Sequence, residues 1–253
     1  MANNIENILI TGASSGIGEA LAEYYAVNGA KNLFLSGRNE QRLKEITQRC
    51  EKYGTNVFPQ IIDVCNREQM AQWIEQCNKK APLNLVFANA GVSTGEENPT
   101  NIYNTFNTNV MGVLNTVTPA VELYKKSSQD KKIIAITASI AGYHGLPSCP
   151  SYSATKACVK AYGEALRGSL REHNIQVNII CPGFVKSRIT DKNTCPMPFF
   201  MEAGKAANIL GDGIEKNSAL IAFPWPMRLA VWFMSCLPNC ISDFIYASLP
   251  HKV

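Results

Sequence analysis

Tyr152 and Lys156 stand four positions apart in the stretch SYSATK, just after Pro150. A helix brings residues at that spacing onto one face, one turn apart. A phenol beside an ammonium is a candidate for moving a proton. An unperturbed tyrosine titrates near about 10, too high for efficient proton transfer near neutrality. A neighbouring positive charge favours the phenolate and is expected to lower that value. A second feature with chemical meaning lies near the start of the chain. Gly12, Gly16 and Gly18 form G-x-x-x-G-x-G within ITGASSGIGEALA, between an apolar run and a helical pattern. Glycines let a backbone approach a pyrophosphate closely, and a helix N-terminus offers free N–H groups to an anion.

Both features need a scaffold, and the pattern of the chain predicts one. Strands are expected over 7–12, 32–36, 57–63, 83–91, 132–139 and 176–183, and 219–223 is strand-like. Helices are expected over 17–28, 39–53, 66–79, 100–127, 151–173 and 202–216. Strands alternating with helices argue for a parallel sheet covered on both faces, an α/β fold of three layers. No repeat, low-complexity tract or linker divides the chain, and 253 residues suit one large core. The stretch 185–201 reads as irregular and proline-rich.

Composition narrows the function classes. Hydrophobic residues at 46% and charged residues at 17% describe an ordinary globular protein. The net charge of +4 is weak and no Lys/Arg block occurs, which argues against nucleic acid as a partner. The nine cysteines, at 50, 65, 77, 149, 158, 181, 195, 236 and 240, contain no C-x-x-C. The three histidines at 144, 173 and 251 are scattered, so no zinc-ligand spacing appears and no metal is expected. Free thiols fit a reducing compartment, so a cytoplasmic location is expected. The N-terminus has no basic n-region or apolar h-region, and no run of about 20 apolar residues occurs. A signal peptide and a spanning helix are therefore not expected.

Five motifs occur in order: TGASSGIG, NAG at 89–91, Ser139 at a strand end, YSATK, and PGFVKS at 182–187. Together they resemble the classical short-chain dehydrogenase/reductase family over residues 5–190. The resemblance implies a Rossmann-like, doubly wound parallel sheet spanning 1–224, with the substrate loop at 185–216. It leaves 225–253 as an apolar C-terminal extension. It also implies a nicotinamide dinucleotide. Gly12, Ser14, Ser15, Gly16, Ile17 and Gly18 would hold its pyrophosphate and adenosine side, and Asp63 and Val64 its adenine. Asn89, Ala90 and Gly91 would lie beneath the adenosine; position 88 is Ala where many relatives carry Asn. Pro182, Gly183, Val185 and Ser187 would meet the nicotinamide, Ser187 replacing a threonine. In the implied active site Tyr152 moves a proton at the substrate oxygen, and Ser139 hydrogen-bonds that oxygen. Lys156 favours the phenolate and holds the nicotinamide ribose. Asn109 anchors a water in a proton relay, chosen over Asn104 and Asn107 by its place before the Val-x-Gly run.

The choice of nucleotide has a physical argument. An acidic residue after the second strand would hydrogen-bond a free ribose 2′-OH and repel a 2′-phosphate. The chain has Ser36, Gly37 and Arg38 there. An arginine can clamp a phosphate, so NADP is expected over NAD. Met197, Phe199, Phe200 and Met201 suggest a hydrophobic substrate of acyl or lipid-like character. Alternatives are a small polar alcohol, or a dinucleotide-sensing protein without turnover. The tail, with Trp225, Arg228 and Trp232, suits a substrate cover, a subunit interface or a peripheral membrane contact. By resemblance a homo-oligomer is expected.

Overall fold

The computed structural model describes residues 5–192, 196–238, 240–242 and 245. Cys195 and most of the tail from residue 243 onward therefore lie outside the described residues. The strands are β1 (Asn7–Ile10), β2 (Asn32–Gly37), β3 (Asn56–Ile61), β4 (Leu85–Ala88), β5 (Ile133–Thr137), β6 (Gln176–Pro182) and β7 (Leu220–Phe223). They form one parallel sheet in the order β3-β2-β1-β4-β5-β6-β7. The order reverses between β1 and β4. In open α/β sheets ligands bind at such a switch point, beyond the carboxyl ends of the strands.

The helices are α1 (Gly16–Val27), α2 (Glu40–Glu51), α3 (Arg67–Lys80), α4 (Pro99–Phe106), α5 (Gly112–Lys125), α6 (Pro150–Ser169), α7 (Ala203–Glu215) and α8 (Trp225–Ser235). Local chemistry starts several of them. Asn39, Asn66 and Asn98 cap α2, α3 and α4, each side chain accepting a hydrogen bond from a first-turn N–H. Proline begins α4 and α6, where its missing N–H costs no hydrogen bond.

Side chains alternate across the sheet and build two cores. Ile8, Ile10, Leu33, Leu35, Leu85 and Phe87 pack under α1, α2 and α7. Leu9, Phe34, Val86, Ile134, Ile136 and Ile179 pack under α3, α5 and α6. Strands β4 and β5 are buried along their whole length, as central parallel strands must be. The β7 segment, only strand-like by sequence, completes the sheet as an edge strand.

Two helical expectations need revision. The run 100–127 is broken: α4 passes through a π-helical turn, Asn107–Met111, into α5. The Gly112 N–H donates five residues back, to the Asn107 carbonyl. Such a bulge turns one side chain out of helical register, and the buried Asn109 lies inside it. The second helix, expected to reach 173, ends at Ser169. A tighter turn over Arg171–His173 and a left-handed Asn174 follow before β6.

Helix α6 carries the Tyr/Lys pair, and its inner face has no spare room. A Cβ on Gly163 would lie 2.9 Å from Ile179 Cγ1 on β6, whereas one on Gly168 would meet nothing within 4 Å. Gly163→Ala should lower the unfolding free energy by about 1–3 kcal/mol through overpacking. Gly168→Ala should raise it by about 0.5–1 kcal/mol through helix propensity. Urea titrations of the two variants check the opposite signs.

Candidate active site

At the β1/β4 switch point the chain opens into a cleft of about 1160 Å³. The floor at one end is the glycine turn between β1 and α1. Gly12 and Gly16 have φ of +67° and +60°, in the left-handed region that side chains disfavour. Gly12, Ser14, Ser15, Gly16 and Ile17 line the cleft. Gly18 stands behind them, where a Cβ would fall 2.5 Å from the Gly12 carbonyl oxygen. Unlike the asparagine caps elsewhere, the Ser15 side chain makes no capping hydrogen bond to α1. The first turn of α1 thus keeps its donors for an anion.

Asn89, Ala90 and Gly91, just past β4, also border the cleft. The Asn89 amide donates to the Thr11 carbonyl at 3.1 Å, and its Oδ1 accepts from the Thr137 hydroxyl at 3.4 Å. Its side chain ties β4 to the glycine turn and β5. Asp63 and Val64 line the cleft after β3.

Beyond β2, Arg38 borders the same end, and so does Arg42, which sequence reasoning missed. The Arg42 Nε is buried and has no hydrogen-bond partner. A buried guanidinium donor without a partner is costly and fits an anionic group. The signal was present in GRNEQR, where a second arginine stands four residues after Arg38, in the first turn of the expected helix.

The other end gathers the candidate catalytic groups. Ser139, just past β5, and Tyr152 and Lys156, on the first turns of α6, all line the cleft. The Ser139 hydroxyl accepts from the Ala141 N–H at 3.1 Å and donates to the Pro182 carbonyl at 3.4 Å. Lys156 is buried; its Nζ donates to the Thr137 carbonyl at 2.9 Å and lies 5.7 Å from the Tyr152 ring centroid. The expected depression of the tyrosine does not hold. Burial pushes the Tyr152 phenol up to about 12, and the Ser139 hydrogen bond offsets only part of this. Burial likewise lowers the Lys156 ammonium to about 8. Desolvation dominates both shifts, and only Cys181 works against it at the lysine.

Asn109 is fully buried and does not border the cleft. Its Oδ1 accepts from the Val92 N–H at 2.8 Å. Its Nδ2 donates to the Val92 carbonyl at 2.9 Å and to the Thr155 hydroxyl at 3.1 Å. The side chain clamps the segment after β4 to α6 and so steadies the Tyr/Lys turn.

Pro182, Gly183, Val185 and Ser187 line the cleft after β6. A Cβ on Gly16 would lie 2.8 Å from Ser187 Cβ, so this loop closes onto the glycine turn. The stretch expected to be irregular is partly ordered. Val185 pairs with Met201, and the Met201 N–H donates to the Phe184 carbonyl at 2.9 Å.

The apolar side chains singled out in this loop, Met197, Phe199, Phe200 and Met201, do not line the cleft. Phe199 and Phe200 are exposed, Met201 packs on the core, and Met197 is absent from the cleft lining. Pro196 and Pro198 face the cleft instead. The rest of the apolar wall comes from α8, through Met227, Ala230, Val231 and Met234. Met227 and Val231 also pack against the core, so α8 is integral to the domain. Nothing in the tail's composition separated its cleft-facing residues from its outward ones; only the docking of α8 does.

A parallel doubly wound sheet with a glycine turn and a Ser/Tyr/Lys cluster at its switch point defines a class of nucleotide-dependent oxidoreductases. Sequence comparison assigns the family. Residues 6–196 match the model of the short chain dehydrogenase family, and the chain belongs to it. An "Uncharacterized oxidoreductase" of Myxococcus xanthus is 34% identical over 241 residues, covering 93% of this chain and 94% of that one. A short-chain dehydrogenase of Sphingobium yanoikuyae, solved with NADPH, superposes with a TM-score of 0.80 at 20% identity. The match covers 97% of this chain and 96% of that one. A short-chain dehydrogenase/reductase of Burkholderia phymatum, solved with NAD, gives a TM-score of 0.82 at 24% identity over 100% and 99% of the chains. The protein is an oxidoreductase of the short-chain dehydrogenase family.

The depressed lysine carries a signed prediction. Lys156 titrates near about 8 when folded, and an unfolded lysine near about 10.4. Between these values the unfolded chain binds more protons, so folding stability gains from rising pH. The stability of wild type relative to Lys156→Met should therefore rise from about pH 8 to about 10 and be level below it. Taking the difference between the two proteins removes the opposite contribution of the buried Cys50 and Cys77 thiols, both pushed up to about 12. Paired denaturant titrations across this window check it; a flat difference would mean the ammonium is not desolvated.

Proposed function

We propose that the protein is an NADP(H)-dependent carbonyl reductase of an apolar substrate. The observation that carries this reading is the shared cleft. One end offers an uncapped helix start and a buried, unpaired arginine donor. The other offers Ser139, Tyr152 and Lys156 under an apolar wall.

The glycine turn and the start of α1 fit a pyrophosphate. Arg38 and Arg42 fit a ribose 2′-phosphate, and no carboxylate stands at the end of β2 to repel it. When bound, the nicotinamide group exchanges a hydride with the substrate carbon. Tyr152 then handles the proton at the substrate oxygen. Its phenol, held at about 12, is protonated near neutrality and so is in the donor state, which suits carbonyl reduction. The Ser139 hydroxyl hydrogen-bonds the same oxygen and stabilises the charge developing there. The Lys156 ammonium supports the phenolate once the proton has left. Asn109 is a positioning residue: it holds α6 and the segment around Val92 in register.

The wall of Ile140, Leu146, Phe184, Met227, Val231 and Met234 favours an apolar substrate body over a small polar alcohol. A protein that only senses the dinucleotide would bind it equally well, so turnover separates the readings. NADPH oxidation would be followed against carbonyls running from short aldehydes to long-chain oxoacyl thioesters and bulky cyclic ketones. Turnover should increase with apolar size and vanish in Tyr152→Phe with NADPH affinity kept. NADPH binding without turnover on any member would favour the sensor.

Cofactor choice has its own test. Arg42→Ala and Arg38→Ala should each weaken NADPH binding by about 10–100-fold, the worth of a charge-assisted hydrogen bond. NADH binding should change little. Fluorescence titration with both nucleotides checks it, and equal losses for the two would refute the 2′-phosphate assignment.

A further inference from the structure

Helix α8 has two apolar faces, and the cleft uses only one. At 100° per residue, Met227, Ala230, Val231 and Met234 fall on one side, and these residues line the cleft. Trp225, Leu229, Trp232, Phe233 and Cys236 fall on the opposite side. There Trp225 is 74% exposed, Leu229 55%, Trp232 54% and Phe233 57%. A helix apolar all round is expected to be buried all round, and nothing in the described chain covers this outer face. Ile241, farther along, is exposed as well.

We propose that the outer face of α8 docks on the surface of an anionic lipid bilayer. Three observations select a membrane over a second copy of the chain. First, residues 217–242 contain a single charge, Arg228, and it is positive and exposed on the border of this face. A twofold pairing of the face would draw two such arginines toward one buried apolar seam, and the α8 segment itself carries no acid to neutralise them there. Lipid phosphates would neutralise them. Second, the face carries two tryptophans, whose apolar ring and polar N–H suit the headgroup boundary. Third, α8 has 11 residues, and no described helix is long and apolar enough to cross a membrane. The geometry is that of a helix lying in the interface plane. Because the inner face of the same helix walls the cleft, docking sets the cleft beside an apolar phase.

The test needs no knowledge of the substrate. The chain has three tryptophans, and the third, Trp73, is buried in the core. Brominated phosphatidylcholine vesicles containing phosphatidylglycerol should therefore quench most of the accessible tryptophan fluorescence of wild type. Sedimentation should pull the protein down with these vesicles and less with phosphatidylcholine alone. The double variant Leu229→Glu/Trp232→Glu should lose vesicle binding by about tenfold or more, given the apolar area withdrawn. Neither residue lines the cleft, so the variant should bind NADPH as wild type does, which reports an intact fold. Absence of quenching and of sedimentation in wild type would overturn the proposal. So would unchanged vesicle binding in the folded variant. A dimer in sedimentation velocity that the variant dissolves, without any vesicle binding, would assign the face to a second copy instead.

Discussion

A Cβ on Gly12 would fall 2.8 Å from Ala90 Cα, and one on Gly18 2.5 Å from the Gly12 carbonyl oxygen. This close approach of the glycine turn to the end of β4 governs the whole cleft. Backbone and the Asn89 amide fill the space between the two segments, so α1 can begin directly above the point where the strand order reverses. Asn89 secures the contact by hydrogen-bonding Thr11 and, across β5, Thr137. Thr137 in turn offers its carbonyl to Lys156. One chain of contacts therefore joins the glycine-turn end of the cleft to the end that holds Ser139, Tyr152 and Lys156. Any side chain inserted at the turn would move both.

The second organising feature is desolvation. At the start of α6, beside the ends of β5 and β6, loss of hydration dominates the titration of both Tyr152 and Lys156. The phenol is held in its protonated form and the ammonium is weakened. The polar framework around the pair absorbs part of the cost: Ser139 engages the phenol, Thr137 receives the ammonium, and Asn109 fixes the helix that carries both.

Helix α8 links this site to the outside. It completes the apolar wall with methionine and valine while presenting tryptophan and phenylalanine outward. An 11-residue helix with so little polar surface owes its place to packing on β7 and on the turn after Ser139, because short helices are marginal on their own. The wall of the cleft and the outer apolar face are thus one element.

Much of this was legible in the chain. The alternation of strand and helix runs set the parallel sheet, because buried strands and amphipathic helices leave different periods. The glycine turn and the Tyr152/Lys156 pair were legible from their spacing and place beside an element end, and Ser139 from the resemblance of the ordered motifs to the family. The partners of those residues were not. Whether lysine lowers the tyrosine depends on how much water each loses, and only the packed structure sets that. The π-helical turn that buries Asn109 was hidden because its sequence reads as continuous helix. Arg42 was overlooked because an arginine on a charged helix looks like any solvated residue until its Nε proves to be buried. Met197, Phe199, Phe200 and Met201 were the apolar residues singled out by sequence, yet none lines the cleft and α8 supplies much of its apolar lining. The sequence by itself determined the fold, the order of the motifs and the identity of the chemical groups, because these follow from local spacing and periodicity. Tertiary structure alone decided which groups lose water and which face of α8 meets the cleft, because both depend on contacts between segments far apart in the chain.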